Sequence, residues 1–237
     1  MSENKTGKYL KYAIGEILLV VLGILIALSI NNWNENQKNK SKKEVLLKAL
    51  KIEFISNLKQ IDTVIYYDYL VLNHTKKLME LGPETSIEMI KDSLPYWLQK
   101  SDYRWTFDPL NGALRSGISS GEIHLIINDS LSNLLFGWTD FVADFKEGET
   151  RTVDAVKKSK SIVEKHIRLV DFKNTWSPAI GKSKFISDYK SLFSDPLYED
   201  YLGERYLSME DALSDLLLVK TKNELIIKLI DKELNTL

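Results

Sequence analysis

The pattern of apolar and polar residues near the start of the chain predicts a membrane-spanning helix. Residues 13–30, AIGEILLVVLGILIALSI, are apolar apart from Glu16 and one serine. At 1.5 Å per residue this run spans roughly 27 Å, close to the ~30 Å hydrocarbon core of a bilayer. Tyr9 and Tyr12 precede the run and Trp33 follows it, which is typical of residues at membrane interfaces. No A-x-A-like cleavage site follows, so we expect the helix to remain in the mature protein.

The run divides the chain into three predicted parts. Residues 1–12 form a basic N-terminal tail, and residues 13–33 form the transmembrane helix. Residues 34–237 form a helical-bundle domain, which begins with a polar stalk at 34–43. About 200 residues are enough for one domain with a sizeable core.

Helical periodicity predicts that the first long helix continues from the membrane into the domain. Residues 24–81 contain neither glycine nor proline, and Gly82 and Pro83 provide the stop, glycine as a left-handed cap. Apolar side chains recur at steps of three and four, the spacing of one face of an amphipathic helix. That face comprises Leu47, Leu50, Phe54, Leu58, Ile61, Ile65, Tyr69 and Leu72.

Two more long helices are predicted by the same periodicity. The second begins at a cap formed by Asn128 and continues to Val170, and the third covers residues 209–234. A short helix that begins at Asp195 and stops at Gly203 precedes the third. Asn223 lies in the apolar stripe of the third helix, where it either fixes the packing register or is solvated at the edge of the stripe.

Shorter elements are predicted between the first and second long helices. A capping box at residues 85–88 opens a short helix that ends before Pro95, and Asp108 caps another that continues to Ser116. Residues 122–127 are predicted to be extended.

The fold class that follows is all-α, with an N-terminal transmembrane helix and an antiparallel helical bundle of long helices with short connecting helices. In the simplest path the first long helix leads away from the membrane, the second returns and the third leads away again.

Composition removes several functional classes. The net charge is −1, without the excess of positive charge that is typical of nucleic-acid-binding proteins, so we expect no nucleic-acid partner. The absence of cysteine excludes disulfides, thiolate metal sites and cysteine nucleophiles. Of the three histidines, we expect His74 and His166 to be solvated on helices, and none has the Glu-x-x-His spacing of a di-iron bundle.

The segment Gly117–Gly121 matches the G-x-S-x-G nucleophile elbow of α/β-hydrolases. That elbow requires a strand before the serine, whereas the preceding residues here have a helical pattern. We therefore interpret the segment as the end of a helix followed by a turn. No catalytic residue, cofactor or metal site is predicted, and we expect a protein that is not an enzyme.

Small residues along the span form a candidate helix-packing face in the membrane. Gly15, Gly23 and Ala27 lie on one side, and small residues let helix backbones approach closely in lipid. Glu16 either faces a partner or lies near enough to the interface to reach headgroup water.

Aromatic residues concentrate at 96–107. Tyr96, Trp97, Tyr103 and Trp105 form a candidate recognition patch, because tyrosine and tryptophan are favoured at interfaces. The alternative is that they fill the end of the bundle where helices diverge.

The leader KYAIGEILLVVLGILIALSINNWNE and the segment FDPLNGALRSGISSGEIHLIINDSLSNLL resemble an uncharacterised family of single-span bacterial membrane proteins, typical of Bacteroidota. The resemblance implies a membrane location and assigns no activity and no site residues.

Three lysines precede the span and four between residues 38 and 43 follow it, so charge alone does not decide the orientation. The short basic head favours the bacterial inner membrane, a single pass, a cytoplasmic N-terminus and a periplasmic bundle. The lysines at 38–43 are either a solvated stalk or, in the opposite orientation, a contact for anionic headgroups.

Two functions follow as expectations. The first is a non-catalytic interaction or scaffolding module of the cell envelope, bound to the bilayer and to a membrane-protein partner or to copies of itself. The second is an extracytoplasmic sensory or ligand-binding bundle that signals through a partner. The twelve residues before the span are too few for an output domain, which favours the first.

Overall fold

The computed structural model describes residues 5–173 and 177–236, so residues 1–4 of the predicted tail lie outside the description. The described residues form helices and no strands, which confirms the all-α fold class. The helices are α1 (Lys5–Met79), α2 (Leu94–Ser101), α3 (Gly112–Ser119), α4 (Asp129–Phe136), α5 (Trp138–His166), α6 (Leu169–Lys173), α7 (Tyr189–Leu192) and α8 (Pro196–Leu234). Three short 3₁₀ turns cover Ile87–Met89, Glu122–Leu125 and Pro178–Ile180.

Helix α1 is one uninterrupted helix of 75 residues. At 1.5 Å per residue its length is roughly 110 Å, enough for a bilayer, a stalk and a bundle in series. Its N-terminal part is long and apolar enough to cross a membrane, and none of its most apolar window is buried in protein. The stalk at 34–43 is helical and mostly exposed.

One face of the C-terminal part of α1 packs into the core of the bundle. Leu47, Leu50, Phe54 and Ile61 from the predicted face are fully buried. Farther along, the buried stripe moves to Val64, Val71 and Leu78, and the predicted core residue Tyr69 is 55% exposed. The stripe shifts because α2 as well as α8 packs against this end of α1.

The long helices follow a path different from the predicted one. Trp138 at the start of α5 contacts Phe54 with ring centroids 4.9 Å apart, so α5 begins near the stalk. Lys51 of α1 pairs with Asp231 near the end of α8 at 2.6 Å. Thus α5 leads away from the stalk, because the short helices α2–α4 already carry the chain back, and α8 returns packed against both α1 and α5. The bundle therefore ends beside the stalk.

Two apolar clusters make up the core. The stalk-proximal cluster includes Leu50, Phe54, Trp138 and Ile226. The distal cluster includes Leu78 of α1 and, from later helices, Leu98, Leu192, Tyr198 and Leu202. Between the two apolar clusters, a layer of the bundle contains buried polar and charged side chains from α1, α5, α8 and the end of α2. These are Asp68, Ser101, Glu149, Thr152 and Arg205.

Several predicted boundaries are wrong at the first connection. Gly82 does not have a positive φ, and its N–H donates instead to Thr85 Oγ1 at 2.9 Å. Residues 87–89 form a 3₁₀ turn without a side-chain cap, so the capping box is not formed. Pro95 lies in the first turn of α2, where its missing N–H costs no helix hydrogen bond.

The next connection differs from the prediction as well. Asp108 does not cap a helix: it accepts hydrogen bonds from Thr106 and Lys146, and α3 begins only at Gly112. Residues 122–125 form a 3₁₀ turn instead of an extended segment, because Gly121 reverses the chain at a φ of 74°.

Among the long helices, the caps were predicted better than the lengths. Asn128 and Asp195 both cap helices with their side chains, as expected. The predicted second helix is divided at Gly137 into α4 and α5, whereas α8 continues through Gly203. Asn223 is fully buried, and its Nδ2 donates to the Phe54 carbonyl oxygen at 2.9 Å, which favours the register-fixing alternative.

Two glycines illustrate opposite constraints. In α3, a Cβ on Gly117 would lie 2.7 Å from Leu46 Cδ1, so the close approach of α3 to α1 depends on the missing side chain. In the interior of α8, a Cβ on Gly203 would meet nothing within 4 Å.

The substitution Gly203→Ala is therefore expected to stabilise the protein by about 0.5–1 kcal/mol, because alanine restricts the unfolded chain and favours the helix. Gly117→Ala is the matched comparison and should gain nothing, since the displaced Leu46 offsets the helix preference. Thermal unfolding of the full chain in detergent micelles measures both. An equal rise in Tm for the two variants would contradict the packing described for α3.

Candidate functional site

The predicted recognition residues lie together on one side of the bundle. Tyr96 and Trp97 belong to α2, while Tyr103 and Trp105 lie in the segment that follows it. Both stretches run along α1, which contributes Tyr66 and Tyr67. We name these six side chains the aromatic row: Tyr66, Tyr67, Tyr96, Trp97, Tyr103 and Trp105.

The stalk-proximal half of the aromatic row is a set of ring contacts around Tyr67. Trp105 stacks on Tyr67 with ring centroids 4.2 Å apart and planes 4° from parallel. Tyr103 and Tyr66 contact Tyr67 edge-on at 5.7 and 5.2 Å. Aromatic pairs of this geometry contribute ~0.5–1.5 kcal/mol beyond the burial of their area, so the rings hold each other in place.

Lysines and a histidine continue the aromatic row toward the distal end. Lys100 Nζ donates to the Tyr103 hydroxyl at 2.6 Å and lies 5.2 Å from the ring centre of Tyr96. His74 contacts Tyr96 edge-on at 5.4 Å, and Lys77 Nζ lies 5.6 Å from the Trp97 ring centre. The lysines add positive charge over the faces of the rings, the arrangement of a cation–π contact.

Three of the six side chains of the aromatic row are exposed to solvent. Tyr66 is 60% exposed, Tyr96 46% and Trp105 45%. A groove of about 450 Å³ lies beside Trp105, with Val64 and Arg104 among its lining residues. The residues of the row do not gather at the end of the bundle, since their contacts on α1 extend from Tyr66 to Lys77, roughly 17 Å along the helix axis.

Buried polar contacts fix the segment that carries the aromatic row. The Glu53 carboxylate on α1 accepts the backbone N–H groups of Ala113 and Leu114 at 2.7 and 3.1 Å. Asn57 exchanges two hydrogen bonds with the backbone of Leu110. Phe107 N–H donates to Glu149 Oε1 at 2.9 Å. These hydrogen bonds join backbone groups of residues 107–114 to side chains of α1 and α5.

Arg205 holds the start of the same segment from the inside. Its side chain is fully buried, and its guanidinium donates to the carbonyl oxygens of Ser101, Tyr103 and Thr152 at 3.3, 2.7 and 3.0 Å. One planar side chain therefore connects α8, α5 and the end of α2. Burial lowers the pKa of Arg205, but an arginine remains protonated at neutral pH.

Asp68 is the acidic member of this buried layer. It is 6% exposed and, within the described residues, its carboxylate forms no hydrogen bond and no ion pair. Burial raises the pKa of Asp68 to about 7; the nearby Arg205 opposes this rise and Glu149 adds to it. A carboxyl group whose pKa lies near neutrality thus directly follows Tyr67 in α1, two residues from Tyr66.

The histidine predictions are wrong for two residues. His74 is 5% exposed, and its Nδ1 lies 2.7 Å from the Leu70 carbonyl oxygen; burial lowers its pKa. His166 is partly buried, with Nε2 at 3.0 Å from Asp195 Oδ2 and Nδ1 at 2.9 Å from Ser191 Oγ. The two contacts of His166 could not be found from the sequence, because Asp195 and Ser191 lie more than twenty residues away from it.

Ser191, His166 and Asp195 are the residue types of a nucleophilic triad, but here they connect helix ends. The second carboxylate oxygen of Asp195 caps α8 by accepting from Leu197 N–H at 3.0 Å. The three side chains come from the end of α5, from α7 and from the start of α8, so they connect three helix ends. We attribute no reaction to them.

The other sequence-level candidates are found apart from the aromatic row. Ser119 of the G-x-S-x-G segment lies in the last turn of α3, and its hydroxyl donates to the Arg115 carbonyl oxygen. The part of the chain that the structure describes contains no group of three or more acidic or histidine side chains that could hold a metal ion.

The candidate packing residues Gly15, Glu16, Gly23 and Ala27 lie on the N-terminal part of α1, before Leu46, the first buried residue of that helix. A Cβ on Gly15 or Gly23 would meet nothing within 4 Å, so this face of the helix is uncovered within one chain.

A model of a family described as a family of unknown function (DUF6090) matches residues 16–139. The matched range is more than half of the chain and covers most of the apolar run, the rest of α1 and the whole aromatic row. It agrees with the prediction of an uncharacterised family. No curated protein and no solved structure matches the chain.

The raised pKa of Asp68 predicts a pH-dependent stability. Between pH 4 and 7 the folded protein holds a proton on Asp68 that the unfolded chain, with a pKa near 3.9, does not. The contribution of Asp68 to stability is therefore complete below pH 4 and is lost as pH rises through 7.

Asp68→Asn mimics the protonated side chain and should remove this loss. From pH 5 to pH 8, the wild type is expected to lose on the order of 2 kcal/mol relative to Asp68→Asn. Urea unfolding of the full chain in detergent micelles at both pH values measures the difference, with Asp211→Asn on the exposed side of α8 as control. A gap between the two proteins that is the same at both pH values would contradict the assignment.

Proposed function

The chain belongs to the family of unknown function DUF6090, and we propose that it is a membrane-anchored, non-catalytic interaction module that binds a protein partner through the aromatic row. The observation that carries this proposal is the row itself. Six aromatic side chains lie together, three of them are 45–60% exposed, and a groove of about 450 Å³ lies beside Trp105.

The chemistry of the aromatic row matches that of known interface centres. Tyrosine and tryptophan dominate the residues whose truncation costs most binding energy, and they tend to lie beside pockets. Their rings are already held by stacking and by the Lys100 contact, so little side-chain entropy would be lost on binding. The acidic side chains of a partner would complement Lys100 and Lys77.

The membrane anchor supports the same proposal. The N-terminal part of α1 is apolar on all sides and covered by no other part of the bundle, as a helix in lipid would be. We propose a single pass through a bacterial inner membrane with a cytoplasmic N-terminus and a periplasmic bundle. An anchored module diffuses in two dimensions, which favours partners held in or near the same membrane.

A sensory or ligand-binding bundle is the second candidate function. It is favoured by the continuity of α1, since no break separates the core residues from the apolar segment. A shift of α1 against α8 in the bundle would therefore reach the membrane directly, where a partner's transmembrane helix could read it at the Gly23 face.

Site-specific photo-crosslinking tests the interaction role. A benzophenone amino acid replaces Tyr66, Tyr96 or Trp105 in cells, and Phe185, which is 75% exposed and lies apart from the aromatic row, serves as the matched aromatic control. We expect an adduct of one defined mass from the three row positions and none from Phe185. An adduct of twice the chain mass identifies a second copy as the partner.

A second variant tests whether the rings themselves bind. With the crosslinker at Tyr66, the substitution Trp105→Ala should reduce the adduct at least tenfold, the effect of losing a central aromatic contact. Equal adducts from the aromatic row and from Phe185, or no effect of Trp105→Ala, would show that the row is not the binding surface.

A further inference from the structure

A cavity of about 260 Å³ opens between α2, α5 and α8 on the distal half of the bundle. Four side chains that carry hydroxyl groups, Ser101, Ser159, Tyr198 and Tyr201, line its inner part. All four are buried, between 2% and 8% exposed. The cavity therefore combines a polar interior with an opening to solvent.

The rim of the cavity is positively charged. Arg104, Lys157 and Lys160 line it, against the single carboxylate of Asp102. Lys157 and Lys160 also contact acidic residues of their own helix at 3.0 and 3.6 Å, but such exposed pairs are worth little. Arg104 forms no ion pair with a carboxylate in the part of the chain that the structure describes.

A further positive charge, that of Arg205, lies behind the inner wall of the cavity. The buried Arg205 donates to the carbonyl oxygen of Ser101, a lining residue, at 3.3 Å. Arg205 acts on Tyr201 as a nearby positive charge that lowers the pKa of its hydroxyl, although burial outweighs this and raises that pKa. Burial raises the pKa of Tyr198 as well, so both tyrosines remain neutral at physiological pH and keep their hydroxyl protons.

The walls of the cavity are apolar. Leu98 of α2 faces Val156 and Val163 of α5, with Leu169 of α6 beside them. Ligand pockets combine such apolar walls with a few convergent polar groups that fix orientation, and they reach ~300–1,000 Å³. A volume of about 260 Å³ restricts the occupant to a small molecule.

We propose that this cavity binds a small organic anion with an apolar body. Its anionic group lies at the rim between Arg104 and Lys160, and its body lies between Leu98 and Val156 with a polar atom toward Tyr201. The proposal does not depend on the aromatic row, so its test can fail while the interaction role stands.

Ligand-detected NMR on the full chain in nanodiscs tests the proposal. The probes are benzoate, hexanoate and phenyl phosphate, with benzyl alcohol as the uncharged analogue of benzoate and empty nanodiscs as the blank. At least one anion is expected to bind, and benzoate should bind about tenfold more tightly than benzyl alcohol, the effect of a charge-assisted hydrogen bond.

Charge-removing variants locate the binding. Arg104→Gln and Lys160→Gln change exposed side chains and should each weaken anion binding several-fold. Arg104 also lines the groove beside Trp105, so Lys160→Gln is needed to assign the effect to this cavity. Arg115→Gln and Lys48→Gln remove the same charges at exposed positions elsewhere and should leave binding unchanged.

The proposal is overturned by any of three results: none of the three anions binds; benzyl alcohol binds as tightly as benzoate; or the control variants weaken binding as much as Arg104→Gln and Lys160→Gln. Circular dichroism of each variant confirms that the fold is retained.

Discussion

Burial along one face of α1 is the interaction on which the rest of the structure depends. The helix is apolar on all sides over its first part, which is long and apolar enough to cross a membrane, and on one face from Leu47 onward, where it packs in the bundle. Helix α8 packs along the second part and ends at the stalk, where Lys43 and Lys51 pair with Glu233 and Asp231. The bundle is therefore joined to the apolar segment by continuous helix, and not by a flexible linker.

The buried polar layer determines where the aromatic row lies. The Arg205 guanidinium donates hydrogen bonds to three backbone carbonyl groups, two at residues 101–103 and one in α5. Glu149 accepts a hydrogen bond from the N–H of Phe107. Without these partners the segment 102–107 would carry unsatisfied polar groups and could not lie against α1. A buried arginine that costs solvation energy thus positions Tyr103 and Trp105, which links the interior of the bundle to the surface proposed to bind a partner.

The sequence was sufficient for the first long helix and for the caps at Asn128 and Asp195, because periodicity and capping act over a few residues. It did not give the bounds of the second and third long helices. It also located four residues of the aromatic row. It could not find Tyr66 and Tyr67 as their companions, the path of α5 and α8, or the burial of His74, because these depend on contacts between distant segments. The short elements failed for a related reason: Thr85 and Asp108 have capping side chains, but competing partners occupy them.

The most direct test of the account is thiol accessibility in this chain, whose lack of cysteine removes any background. Single cysteines at Leu22 in the apolar segment and at the exposed Lys184 of the bundle are treated with a membrane-impermeant maleimide, in cells with a permeabilised outer membrane. The account predicts labelling at position 184 without lysis, and labelling at position 22 only after detergent. Labelling at position 22 in intact membranes would contradict a span in lipid, and labelling at position 184 only after lysis would contradict a periplasmic bundle.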